Sequence, residues 1–400
     1  MNNNKIVYQY INYYFLKKYL IFYILNILST NMNYNKKTND LLKIIKKYNF
    51  KYPKINLMDK SFFINLYNKL KYIYDNLNNT PISYIAIENN IKLENNNFMT
   101  KEVNYLCKKL KYGYILEKNN DTIHFFTNKK INKVIPSKIK KIFQLIEILK
   151  TLFKRTTFSQ KITLYDLNIK KKLPLKNEII GPNHCNSGLT EVHLVKNGDI
   201  ILYRNEELLK VCIHELMHSN LIDSALIFSD ISKKFTNNFC FTYSVLLNEA
   251  YTECIAVIIH LMYIHIINNG KKNIQSINQM FNNEIKYSIY NVSKILDFYE
   301  IYSINEIIKI NNNCKKYFQQ KTNVFSYYFL KLILFIKIDD LNNLLLKYTK
   351  NYKINNNIFL TKIYNLLKNN ISIIDIVKIK IKENELENNN SLCLTLYEIK

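Results

Sequence analysis

Residues 206–220 read EELLKVCIHELMHSN, and residues 244–267 read SVLLNEAYTECIAVIIHLMYIHII. In the first stretch His214 and His218 stand four apart, with Glu215 directly after the first histidine. Apolar residues fill most of the remaining positions, so the spacing predicts a helix over 206–220. Residues four apart on a helix share a face, about 6 Å apart along the axis. Two imidazoles so placed can bind one tetrahedral zinc, and the glutamate between them can act as general base on a zinc-bound water. The bland alternative is a buried helix with two satisfied histidines.

A catalytic zinc takes a third protein ligand and keeps a fourth position open. Glu249 is the expected ligand. It lies four residues before Glu253 on an otherwise apolar helical pattern from Ser244 to Ile267. Two carboxylates there are costly to bury unless they bind something. Glu253 then orients one of the zinc histidines. Asp223, five residues past His218, is the alternative third ligand. A downstream histidine in an HExxHxxGxxH pattern fails, because Leu221 and Ser224 stand where Gly and His are required. His260 lies about 16 Å along the helix from Glu249, too far for the same metal.

Upstream, KITLYDL (161–167) reads as a strand. Leu189–Val195 and Asp199–Arg204 are β-rich runs around Asn197-Gly198, a dipeptide that favours a type I′ hairpin. Asn205 stands where an N-cap belongs, with Glu206 and Glu207 in the first turn, where the helix dipole favours acids. Residues 114–126 read as a hairpin and 137–155 as a basic amphipathic helix. Residues 36–112 and 270–380 read as largely helical with Asn-rich breaks, and the tail SLCLTLYEIK alternates like a strand.

These readings give an α+β fold, predominantly helical. A small antiparallel β layer precedes the HExxH helix, and a second helix carries the glutamates. Four regions are expected: an apolar N-terminal helix (1–35), a mostly helical region (36–159), the core that holds the motif (160–270), and a C-terminal helical region with a terminal strand (271–400).

Composition narrows the function classes. With five Gly and five Pro in 400 residues, collagen-like and Pro/Gly-rich disordered chains are excluded. The net charge is +26, but Arg155 and Arg204 are the only arginines. Lysine neutralises phosphate without sequence preference, and scarce Arg argues against bidentate base reading, so no specific nucleic-acid partner is expected. Seven scattered cysteines without a CxxC pair read as mostly reduced thiols in an intracellular setting. Residues 6–28 are apolar, but the cleanest run, Tyr19 to Leu28, falls short of the roughly 20 residues of a span. Packing on the body is therefore favoured there over membrane association.

HELMH followed by NEAYTE resembles the gluzincin class of zinc peptidases, whose second motif is NExxxD or a variant. Asn248, Glu249 and Glu253 match it, with Glu in place of the commoner Asp. The resemblance implies Zn2+ on His214, His218 and Glu249, Glu215 as base, and Glu253 orienting a ligand. It also implies that the strand before the motif helix (Ile200, Ile201, Leu202, Tyr203) offers its edge to an extended peptide.

A closer resemblance covers about 160–265. It is carried by Lys171, Leu173, Pro174, Asn186, Ser187, Gly188, Thr190, Tyr203, Arg204, Glu206, Glu207, Lys210, Val211 and Ile213. This order is similar to that of uncharacterised metallopeptidase-like proteins of large nucleocytoplasmic DNA viruses. It implies a zinc metallopeptidase acting on a peptide or protein, in host cytoplasm or virion. The alternatives are a zinc-binding but catalytically silent viral structural or scaffold protein, and a lysine-rich nucleic-acid-binding protein. An oxyanion donor is expected among Tyr287, Tyr290, Tyr299 and Tyr302, with His184 and His193 as upstream alternatives.

Overall fold

The structure, a computed structural model, describes residues 34–88, 99–194, 196–268, 273–309, 313, 315–354, 357–382 and 389–399. The apolar helix expected over 1–35 and the membrane reading of 6–28 lie outside the described residues, Tyr34 and Asn35 excepted. Most of the Asn-rich breaks lie outside them too.

Among the described residues eleven α-helices have six or more residues: α1 (Lys36–Ile45), α2 (Ser61–Asp75), α3 (Lys101–Lys108), α4 (Ser137–Leu152), α5 (Leu208–Ser219), α6 (Leu247–Ile267), α7 (Gln275–Phe298), α8 (Lys331–Ile336), α9 (Ile338–Tyr348), α10 (Asn357–Asn369) and, unnumbered between α5 and α6, Ile231–Thr236. A π-helical run, Phe325–Leu330, leads directly into α8.

Six strands form one sheet: β1 (Ser83–Ile87), β2 (Tyr112–Lys118), β3 (Asp121–Thr127), β4 (Lys161–Tyr165), β5 (Gly188–Thr190) and β6 (Ile200–Leu202). Their spatial order is β1-β2-β3-β4-β6-β5. β3–β4 and β4–β6 are parallel and the other pairs antiparallel. The α+β class stands, but the sheet is mixed and larger than the antiparallel layer expected. The cause is α4, which fills the connection between β3 and β4, and a helical crossover returns the chain parallel. The boundary expected at 159/160 falls inside this sheet. β1 was hidden in a region that reads as helical.

One face of the sheet packs Ile123, Phe125, Ile162, Leu164, Ile200 and Leu202 into the main core. The other face carries a smaller cluster of Phe126, Tyr165, Leu167 and Tyr203 with Val103 and Cys107 of α3. The hairpin β2–β3 forms as expected. The β5–β6 pair forms too, but not through a type I′ turn, which needs positive φ at both central residues. No glycine among the described residues has positive φ. Gly198 is instead required by close approach: a Cβ there would lie 2.0 Å from the Glu191 carbonyl oxygen.

α5 is buried at all twelve positions, and α6 at all but Glu249 and Ile267. Helices apolar on every side belong inside a core. α6 is long and apolar enough to cross a membrane, yet 94% of its apolar window is buried within the protein. α4 and α6 both pack against α5.

α5 begins at Leu208 rather than 206, and Glu207 caps it in the left-handed region at φ 60°. That conformation is uncommon for a non-glycine residue. Buried ion pairs hold it. The Glu207 carboxylate accepts from Lys171 Nζ at 2.7 Å and from the Thr395 N–H. Glu206 accepts from the Lys171 N–H and from Lys37. So these acids do not serve the helix dipole; they tie α1, residue 171 and the C-terminal tail to the start of α5. Arg204, 1% exposed, donates to the carbonyls of Lys170, Asn183 and Asn186.

The tail is extended but makes only single bridges, Lys172 with Ser391 and Tyr34 with Ile399, rather than the expected strand. Glu284 of α7 holds it by accepting from Thr395 Oγ1 and from the Leu396 and Tyr397 N–H groups. Five cysteines (107, 185, 212, 254 and 393) are free and buried, whereas Cys240 is disulfide-bonded.

Two outcomes are expected. Lys171→Met leaves Glu207 buried without its cation and costs about 3–5 kcal/mol in urea unfolding, much of it recovered in the Lys171→Met/Glu207→Gln pair. Burial pushes the Glu284 carboxyl up to about 7, against hydrogen bonds from the tail that favour its charged form. The folded chain therefore holds a proton there that the unfolded chain has lost above about 4.5. Stability falls as pH rises from about 4.5 to 7 and is flat above, a loss on the order of 3 kcal/mol. Urea midpoints for wild type and Glu284→Gln across that range check it: only the wild type should show this slope.

Candidate metal centre

The crossing of α5 and α6 brings the ring nitrogens of His214 and His218 against the carboxylate of Glu249. His218 Nε2 lies 3.0 Å from His214 Nε2. Glu249 Oε2 lies 3.2 Å from His214 Nε2 and 3.6 Å from His218 Nε2. One ligand atom from each of the three residues falls within 4.8 Å of the others, so the cluster can hold a metal ion. Glu249 sits in the first turn of α6, where the positive end of the helix dipole favours a carboxylate.

The opposite nitrogens are anchored from behind. His214 Nδ1 lies 3.0 Å from Glu253 and His218 Nδ1 lies 2.7 Å from Asp223. A carboxylate beside each Nδ1 favours the proton on that nitrogen, which leaves the Nε2 lone pair for a metal. Glu253 in turn accepts from Lys210 Nζ at both oxygens, 2.9 and 3.1 Å. Asp223 accepts from Thr252 Oγ1 at 3.1 Å and Asn248 Nδ2 at 3.4 Å. Asp223 therefore lies behind His218, on the side away from the cluster. Asp223, expected as the alternative third ligand, pairs with His218 and is not part of the three-residue cluster.

The electrostatics follow from that packing. Burial opposes the charged form of His218, but the charges of Asp223 and Glu249 outweigh it and hold its pKa well above the usual value. Burial likewise works against ionised Glu249, and the charge of His218 with the close approach of both imidazoles overcomes it, so its pKa is lowered. Glu253 is lowered against burial chiefly by the Lys210 charge. Glu215 goes the other way: burial raises its pKa more than the charges of His214 and His218 depress it.

Glu215 turns from α5 toward β5, where Thr190 Oγ1 donates to its carboxylate at 2.7 Å. It lines a cleft of about 530 Å³ together with His214, His218, Glu249, Gly188, Thr190 and Tyr327. The far wall comes from Ile227 to Asn237, with Lys233 and Asp230 at the rim.

Two expectations are corrected here. Ile200, Ile201 and Leu202 form β6, which has β4 on one side and β5 on the other, and the Tyr203 N–H donates to the Ser187 carbonyl. They offer no free edge; β5 is the edge strand beside the motif. Of the expected oxyanion donors none lines the cleft. Tyr287 and Tyr290 are fully buried, and Tyr302 is 74% exposed. Tyr299 accepts from the Ile180 N–H, His184 from the Gly181 N–H, and His193 lies beside Glu191.

Among the described residues the tyrosine that lines the cleft is Tyr327, whose ring stands edge-on to His214 with centroids 6.1 Å apart. It was missed because VFSYYFLKLILFI reads as an ordinary apolar helix. The π-helical turn that carries Tyr327 shifts which side chains face the cleft, and such turns recur at functional sites. His260 is 2% exposed and away from the cluster, as its distance along the helix requires.

No protein-family model matches the chain, and no solved structure matches it. An uncharacterised protein of Acanthamoeba polyphaga mimivirus is similar to it, 27% identical over 197 residues, which is 48% of this chain. The chain spans about half the length of that relative, likewise 48%. The similarity gives this chain a distant relative in a large DNA virus.

Proposed function

We propose that the chain is a zinc-dependent peptidase with a zincin-like core, in which Glu215 is the general base. The observation that carries the reading is the pair of histidines converging with Glu249 while each histidine is braced from behind by a buried carboxylate. Two imidazole nitrogens and one carboxylate oxygen suit zinc, and the cleft leaves the fourth side open. Bound zinc supplies Lewis-acid polarisation of a carbonyl and of water.

This chain's residues supply the rest. Glu215, its pKa raised by burial, takes a proton from the attacking water and passes it to the leaving amine. Tyr327 donates to the carbonyl oxygen as negative charge develops there. The free edge of β5 takes an extended peptide by main-chain hydrogen bonds.

Elemental analysis of the purified full chain tests the metal. One zinc per chain is expected in wild type and in Glu215→Gln, with most of it lost in Glu249→Ala. Asp223→Ala and Glu253→Ala should each weaken affinity by about 10–100-fold, read against a chelating indicator. No zinc in the wild type after zinc-supplemented expression overturns the reading.

In a peptide-library screen, wild type should cleave and the same protein stripped by chelator should not. Glu215→Gln should lower turnover by about 10²–10⁴-fold. Tyr327→Phe should lower kcat by about 10²-fold or more and leave KM nearly unchanged.

A further inference from the structure

We infer that Gly188 and Thr190 of β5 form a socket that aims the Glu215 carboxylate, so that the edge strand is also the positioning element for the base. The inference rests on the peptidase reading of the same site.

Side chains alternate along a strand, so Gly188 and Thr190 face one way and Leu189 the other. Their partners across the ladder, Leu202 and Ile200, point into the main core beneath α5. Leu189 packs with Ile201 against the smaller cluster on the opposite face. Gly188 and Thr190 are therefore the β5 positions that meet the motif helix.

Each does a different job. The Thr190 hydroxyl lies 2.7 Å from Glu215 Oε2 and 3.1 Å from its main-chain oxygen. A hydroxyl has one proton, and a carboxylate is the stronger acceptor. Among the described residues Thr190 is the one donor to this carboxylate. Gly188 leaves room for the other oxygen. A Cβ at 188 would stand 3.1 Å from Glu215 Oε1, 2.9 Å from Leu202 Cδ2 and 3.0 Å from the Ile201 carbonyl oxygen. With backbone on one side and core on the other, the group able to move is Glu215. A methyl group at 188 pushes the carboxylate a few tenths of an ångström out of its place in the socket.

The segment Asn186-Ser187-Gly188-Leu189-Thr190 thereby acquires a physical reason. Its small residue and its hydroxyl are two positions apart because that is the repeat that puts both on one carboxylate. Glu215 is not among the three ligand residues, so the socket acts on the base without acting on the metal.

The test uses the full zinc-loaded chain and acetohydroxamate, a probe that chelates zinc and gives its hydroxyl proton to a neighbouring carboxylate. Affinity is measured by calorimetry, alongside zinc content. Thr190→Val should keep its zinc and bind the probe about tenfold more weakly, the scale of one charge-assisted hydrogen bond. Thr190→Ser should restore binding to within about twofold, since the hydroxyl remains. In a Glu215→Gln background Thr190→Val should cost nothing further, because the two act as one unit. Gly188→Ala should behave as Thr190→Val does. Where a cleaved peptide is in hand, Thr190→Val should lower kcat with KM held.

Wild-type affinity in Thr190→Val overturns the inference. So does an equal loss in the Glu215→Gln background, which would make Thr190 a structural residue acting elsewhere. A wild type without zinc removes the peptidase reading itself. A zinc-loaded wild type that does not take the probe removes the open position on which both depend.

Discussion

The structure depends on one buried carboxylate. Glu253 sits 1% exposed between the Nδ1 of His214 and the ammonium of Lys210. An unpaired charge in that position costs several kcal/mol, and truncating either side of such a pair is more damaging than removing both. The contact joins α5 to α6, and Lys210 and His214 are one helical turn apart on the same helix. The pair thus locks the crossing of the two helices and sets the direction of the imidazole together. His218 with Asp223 repeats the arrangement from a loop instead of a helix.

Around that crossing lies a set of buried and half-buried polar struts. Lys171 with Glu207, Lys37 with Glu206 and Glu398, and Arg204 with three carbonyls all meet where the chain enters α5. They fix a left-handed residue at the helix start and fasten the C-terminal tail beneath it. The motif helix is therefore positioned from its N-terminal end by segments more than 150 residues away in sequence in both directions. Its C-terminal half is positioned by the acids on and before α6. Burying charge in this way is poor at raising stability and good at penalising any other register of the helix, since a shift would leave several ions unpaired.

The mixed sheet has a consequence for the cleft. The β4–β6 parallel pairing places β6 inside the sheet and sends β5 to its edge. β5 is three residues long. A short edge strand offers little to chance pairing, and Gly188 and Thr190 on its inner face are already committed to Glu215. The exposed edge of the sheet and the placement of the Glu215 carboxylate thus rest on the same few residues.

The sequence by itself determined the centre of the site. His214, Glu215 and His218 share a helix, and Glu249 and Glu253 share another; local spacing decides which side chains sit on one face. That α5 and α6 are enclosed was also legible, because apolar residues fill most of their remaining positions on every side. Tertiary structure decided which carboxylate does what. Asp223 and Glu249 are both acids near the motif in sequence, and only the packing of α6 puts Glu249 on the Nε2 side and Asp223 on the Nδ1 side. It decided that Glu206 and Glu207 pair with distant lysines, although their sequence position suits a helix dipole. It put β5 at the edge, since alternation marks a strand and is silent on its neighbours. It chose Tyr327 among 32 tyrosines, because a π-helical turn changes the face a residue presents. In each case the reason is the same: spacing along the chain fixes contacts within one turn or one strand, whereas burial and pairing between distant segments are settled only when the whole core closes.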